Sequence, residues 1–241
     1  NVFTYLTPGS AARHTFQAPW RMRCRKDQNL IVVRTFRGFH GPTKEDHPLL
    51  ALVSMPRQGK TLLLDEIANS VEAHEKLAQA SGSDVVRRSF NVTFNSEFHV
   101  DEVKVYTLAE AKAEVWRRLL LAAMGNFTEA AASDHEWDVV DKFLALHPDL
   151  DARTWRKILV ESGAIPNLSS GSVIYTFDEI TLLYDRIVPG LQRINLKAFT
   201  SSITALISPR SAVVLSGFTS ALTMPKGNSD RSFKKIHLDP I

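Results

Sequence analysis

The chain has 241 residues, enough for one or two domains at about 150 residues each and enough to bury a core without covalent staples. Hydrophobic residues make up 44% and charged residues 23%, a globular balance that excludes a mostly disordered, collagenous or coiled-coil chain. Lys and Arg exceed Asp and Glu by 29 − 26 = +3, which permits phosphate or nucleic-acid partners without arguing for them, and the single cysteine, Cys24, excludes an intrachain disulfide and a cysteine-based zinc site.

No apolar run approaches the ~20 residues of a membrane helix, so no membrane partner is expected. Cysteine poverty points to the reducing interior of a cell. Opening on Asn1, the sequence reads as a processed chain or an excerpt.

Residues 1–47 read as an N-terminal extension or linker. Within it Asn29–Phe36 (NLIVVRTF) has strand character, and the basic cluster Arg21, Arg23, Arg25, Lys26 before it reads as a solvated turn. Gly41–Pro48 (GPTKEDHP) is a polar boundary, and the main domain is expected over 48–241. Leu49–Val53 is too short for a helix and reads as a buried strand. From Lys60 the period becomes helical, with Leu63, Ile67, Val71, Leu77 and Ala78 on one stripe and Glu72, Glu75 and Lys76 facing away. Phe90, Val92 and Phe94 alternate with polar residues, which predicts a strand.

The middle is helical. Thr107 and Glu110 have the spacing of a capping box, and Ser133 and Glu136 repeat it. A third helix is predicted from Ala152 to Gly163, and these elements over about 107–163 exceed what one crossover needs, so a helical insertion is expected. Val173–Phe177 is an apolar strand, Ile194–Ile207 a helix, and Ala212–Leu215 and Lys234–Leu238 are short strands. Strands alternating with helices predict a three-layer α/β fold with a mostly parallel sheet.

Three places carry chemistry. The first is the strand–loop–helix containing Ser54–Thr61 (SMPRQGKT), which matches the phosphate-loop pattern GxxxxGK[ST] except for Ser54 at the first glycine. In such a loop, backbone N–H groups at the helix start point at phosphate, so Arg57, Gln58, Gly59, Lys60, Thr61 and Leu62 are the expected nucleotide-binding residues. Lys60 is expected to reach the β- and γ-phosphates and to be solvated when the loop is empty. The Thr61 hydroxyl is expected on Mg²⁺. Arg57 faces solvent or serves as an arginine finger.

The second place is the end of an apolar strand, Phe177-Asp178-Glu179-Ile180. A carboxylate there must be solvated or hold a cation. Asp178 is the second expected Mg²⁺ ligand and Glu179 the expected general base for an attacking water. The third is Ala212–Thr219 (AVVLSGFT), where Ser216, with Thr219 second, is placed to set a hydroxyl between metal, water and γ-phosphate. Gly217 reads as a strand-to-turn exit.

This set resembles the additional-strand P-loop NTPases, and more narrowly the NTPase module of Crinkler effectors and retrotransposon hot spot proteins. The narrower likeness rests on Val92–Asn95 (VTFN), Arg117–Leu120 (RRLL), the Phe177–Ile180 acidic strand end and the hydrophobic-Ser-Gly strand, over about Pro48 to Leu238. The resemblance implies a five-stranded sheet of order 5-1-4-3-2, ATP or another NTP with Mg²⁺ as cofactor, and hydrolysis driving a conformational switch. It further implies an intracellular protein, delivered into a host cell and nuclear if it is such an effector, with a host or nuclear protein or nucleic acid as partner. A degenerate, nucleotide-gated binding module with little turnover is the alternative, and a small-molecule or polynucleotide kinase a third reading. The residues do not specify the base, the partner or the oligomeric state.

Overall fold

The computed structural model describes residues 46–53, 59–78, 87–94, 105–124, 134–162, 172–184, 186–187, 192–207, 211–217 and 233–237. Five strands, β1 (Leu49–Val53), β2 (Arg87–Thr93), β3 (Ser172–Asp178), β4 (Ser211–Gly217) and β5 (Phe233–His237), form one sheet in the order β2-β3-β4-β1-β5. Every pairing is parallel. Read from the other edge, this is the 5-1-4-3-2 order that the family resemblance implied. The first strand is central, flanked by the two last.

The seven helices of the described residues are α1 (Lys60–Asn69), α2 (Val71–Ala78), α3 (Leu108–Ala123), α4 (Asp134–Leu146), α5 (Ala152–Glu161), α6 (Thr181–Tyr184) and α7 (Gln192–Thr204). Crossovers between parallel strands are right-handed. The chain moves along the sheet in one direction from β1 to β2 and in the other from β2 through β3 to β4. Helices of the two kinds of crossover therefore fall on opposite faces.

Strand parity shows this directly. Leu50, Leu52, Ile174, Ala212, Val214 and Ile236 pack with Leu63, Leu64 and Ile67 of α1 and Ala73 of α2. Their neighbours Leu49, Ala51, Val53, Val173, Tyr175, Phe177, Val213 and Leu215 face the other way, with Phe90, Val92 and Phe94 and the apolar sides of α3, α4, α5 and α7. Both faces are covered, which is why β1, β3 and β4 are apolar runs rather than alternating ones. Each fully buried leucine of β1 contributes about 1.5–3 kcal/mol of burial. On the larger face, Trp155 Nε1 donates to the Tyr175 hydroxyl at 3.1 Å, while Phe90 stacks on Tyr175 and meets Trp155 edge-on.

Helix ends follow from local chemistry. Thr107 Oγ1 accepts the Glu110 N–H while the Glu110 carboxylate accepts the Thr107 N–H, so the expected capping box forms. Asp151 caps α5, accepting the Thr154 N–H at 2.7 Å. Arg156 reaches the carbonyls of Ala205 and Leu206 at 3.0 and 3.2 Å, closing the end of α7.

One predicted element differs. The helix expected to run through Ala78 breaks at Ser70, whose backbone is extended and whose Oγ accepts the Ala73 N–H to start a second helix. Val71, expected on the buried stripe, is 49% exposed as a result. The strand character at Asn29–Phe36, the basic cluster at 21–26, Asn95, Ser133 and Gly163 lie outside the described residues.

Candidate functional site

The carboxyl ends of parallel strands are where a ligand crevice forms, at the point where crossovers change direction. Here β1, β3 and β4 end side by side. Gly59 precedes α1 with φ 74 and ψ 27, a left-handed conformation that L side chains rarely adopt, and this is the conformational need behind a glycine at that position. Its carbonyl accepts the Leu63 N–H at 3.0 Å. The N–H groups of the preceding turn are those that an α-helix leaves for an outside partner, and no carboxylate occupies that first turn.

Asp178 shares the α1 side of β3 with Ile174 and Thr176. Thr61 Oγ1 donates to Asp178 Oδ2 at 2.6 Å, and Ser216 Oγ donates to Asp178 Oδ1 at 2.5 Å. Ser216 Oγ also accepts the Glu179 N–H at 3.1 Å. Lys60 Nζ lies 3.2 Å from Glu179 Oε1. Five residues from three distant segments, 60–61, 178–179 and 216, thus form one connected polar cluster.

Lys60 is 4% exposed, not solvated as the sequence suggested. The reason is the turn after β3. Glu179 has φ 52, the one described non-glycine residue with positive φ, and this conformation accompanies a carboxylate that reaches the helix start. Burial raises the Glu179 pKa above the ordinary carboxylate range; Lys60 opposes the rise and Asp178 adds to it. Among the described residues Glu179 Oε2 is buried with no hydrogen-bond partner.

The cluster's oxygens suit a hard cation. Asp178 and Thr61 are adjacent oxygen donors, and a Mg²⁺ ion typically takes one or two protein ligands and completes its shell with phosphate and water. Among the described residues no group of three or more His, Cys, Asp or Glu could hold a metal by itself.

Sequence reasoning placed Ser216 toward a γ-phosphate, whereas its hydroxyl is turned onto Asp178 and the Glu179 amide. Leu62 stands half-buried in the first turn of α1. Ser54, Arg57, Gln58 and Thr219 lie outside the described residues. Two contacts beside the site went unread. A Cβ on Gly217 would lie 2.4 Å from Thr181 Cγ2, so the absence of a side chain lets β4 close against the turn that carries Glu179. Asn91 of the edge strand accepts from Thr176 at 2.8 Å, and its amide lies 3.4 Å from Asp65. The Ser-Gly pair at a strand end was the visible signal for the first; nothing in the sequence pairs Asn91 with α1.

No protein-family model matches the chain, and no curated protein matches it. Among solved structures, the Walker-type ATPase PABY2304 of Pyrococcus abyssi aligns with 98% of this chain and 58% of its own length, at 18% identity and a TM-score of 0.43. Cdc6p from Pyrobaculum aerophilum aligns with 98% of this chain and 49% of its own, at 15% identity and a TM-score of 0.38. The chain spans about half the length of these two structures. Among the described residues no helix is long and apolar enough to cross a membrane.

Proposed function

We propose that the chain binds ATP or another NTP with Mg²⁺ and hydrolyses the β–γ phosphoanhydride. The observation that carries this reading is the meeting of Lys60 with Glu179 at 3.2 Å and of Thr61 with Asp178 at 2.6 Å, the latter across 117 positions of sequence. Arg57 to Leu62 hold the phosphates through loop and helix-start N–H groups, and Lys60 leaves Glu179 to reach the β- and γ-phosphates. Thr61 and Asp178 hold Mg²⁺, which supplies charge neutralisation to the phosphate oxygens. Glu179 takes the proton of the attacking water. Oε2 is the oxygen not committed to Lys60. Ser216 aims the carboxylates. The NTPase domain runs over 48–241, with 107–163 inserted and 1–47 an extension.

The Lys60–Glu179 pair supports a second reading, a nucleotide-gated binding module with little turnover. While the pair stands, both the phosphate cation and the base are engaged. A Crinkler-like effector acting inside a cell on a protein or nucleic-acid target is the narrower proposal, and it rests on the motifs at Val92–Asn95, Arg117–Leu120 and Phe177–Ile180. Phosphate release by purified protein, with and without Mg²⁺, tests the hydrolase. Release that needs Mg²⁺ and vanishes in Asp178→Ala supports it. ATP binding without release leaves the gated module, and no ATP binding at all overturns both.

A further inference from the structure

The Arg117–Leu120 motif came from the sequence with no chemistry attached, and its second arginine meets the end of β2. Arg118, on α3, is 3% exposed. Its Nη1 donates to the Thr93 carbonyl at 2.9 Å, and Nη2 lies 2.7 Å from Glu114 Oε1 one turn back. The guanidinium sits over the Phe94 ring, 4.7 Å from its centroid. Burying an ionised group costs several kcal/mol of hydration even when it is paired, and an apolar side chain would fill this interface without that cost. What the charge adds is a grip on a backbone oxygen.

That oxygen begins a chain of contacts. Thr93 is the register partner of Asp178, at the level of the site. The Thr93 carbonyl and the Phe94 N–H belong to one peptide group, and Phe94 N–H donates to the Asp178 carbonyl at 3.1 Å. The Asp178 carbonyl and the Glu179 N–H belong to the next peptide group in line. Glu179 N–H donates to Ser216 Oγ, which donates onward to Asp178 Oδ1. A cation at one end thus polarises each bond in the series toward the carboxylate. Among the described residues β2 is an edge strand with β3 as its single partner in the sheet, so this end has the least lateral support. Glu179 holds a positive φ, a conformation that persists only where the surroundings over-determine it.

We infer that Arg118 is a positioning residue that fixes the Asp178–Glu179 peptide plane, through Thr93 and Phe94, from the face of the sheet opposite the two carboxylates. This rests on the hydrolase reading of the site for its effect on turnover, but not for its effect on structure. Arg118→Lys keeps the charge and loses the planar fork that spans Glu114 and Thr93. Amide hydrogen exchange of this variant should be ~10-fold faster at Phe94 and Glu179, as expected of a local opening, with β1 and α1 amides unchanged. The kcat for phosphate release should fall ~10- to 10²-fold, the scale of a misplaced catalytic group, with ATP affinity held within about 3-fold.

Unchanged exchange at Phe94 and Glu179 overturns the inference. So does a uniform acceleration across the sheet with kcat and ATP affinity falling together, which marks a packing role. If Arg118→Lys does not fold, Glu114→Gln, which loosens Arg118 Nη2 and the longer 3.9 Å pair with Arg117 but leaves the Nη1–Thr93 bond, decides by the same two amides. If the parent protein releases no phosphate, the hydrolase reading falls and the exchange data still decide the role of Arg118.

Discussion

Replacing Ser216 by Ala removes one oxygen atom from the centre of the cluster. Two hydrogen bonds go with it, one donated to Asp178 Oδ1 and one accepted from the Glu179 N–H. A hydrogen bond to a charged group contributes about 1.5–3 kcal/mol, and a buried N–H left without an acceptor costs about 1–3 kcal/mol. The two share one hydroxyl and are not additive, so we expect a destabilisation of about 2–4 kcal/mol. At a urea dependence of about 2–3 kcal/mol/M, the unfolding midpoint falls by about 1 M. Ser202→Ala is the control, since its hydroxyl bonds only the Phe199 carbonyl within its own helix; it should move the midpoint little. A Ser216→Ala change below about 0.5 kcal/mol, the scale of an ordinary surface substitution, would refute the view that this hydroxyl ties the cluster together.

Glu179→Gln keeps the side-chain shape and should retain ATP while slowing hydrolysis ~10²-fold or more, read by nucleotide titration beside phosphate release. Lys60→Ala should abolish ATP binding and also lower the thermal midpoint, because it leaves the Glu179 carboxylate buried without its cation; a variant as stable as the parent contradicts the buried pair. Gly217→Ala should destabilise by about 1–3 kcal/mol, the range for overpacking, and Thr181→Ala, which deletes both clashing atoms, Cγ2 and Oγ1, should recover most of it in the double variant. Asp151→Ala should cost about 1 kcal/mol at neutral pH as a lost helix cap. The Thr154 N–H bond lowers the folded Asp151 pKa, so the ionised cap contributes fully above the ordinary carboxylate pKa. That contribution fades as pH falls through the depressed value, and urea midpoints of parent and variant should converge in acid.

The strands themselves and the site's chemical types were legible because both are short-range in sequence, whereas the order of the strands came from the family resemblance. An apolar run bounded by turn residues reads as a buried strand, and GKT or DE at its end reads as phosphate or cation chemistry. What the residues could not show is how the ends lean together. Lys60 looked solvated because nothing local pairs with it; its partner stands 119 positions away on a turn with positive φ. Ser70 read as helix interior because Val71 continues the apolar period, whereas a serine hydroxyl can equally begin a new helix. Arg118 entered only as part of the RRLL motif, because charge pattern alone does not distinguish an arginine beneath a strand end from its half-buried neighbour Arg117.

The position of β1 in the sheet has a consequence for biosynthesis. β1 pairs with β4 and β5 alone, and β4 begins roughly 160 residues after β1 ends. At about 5–20 residues per second, the ribosome supplies the first of those partners about 8–30 s after β1 itself. Throughout that interval the nascent chain carries Leu-Leu-Ala-Leu-Val with neither lateral neighbour in existence, the kind of segment that invites association between chains or capture by a chaperone. Lys60 and Thr61 follow this strand, but Ser216, which ties Asp178 to the Glu179 amide, comes only with β4, so the sheet's centre and the polar cluster are completed together, late in translation.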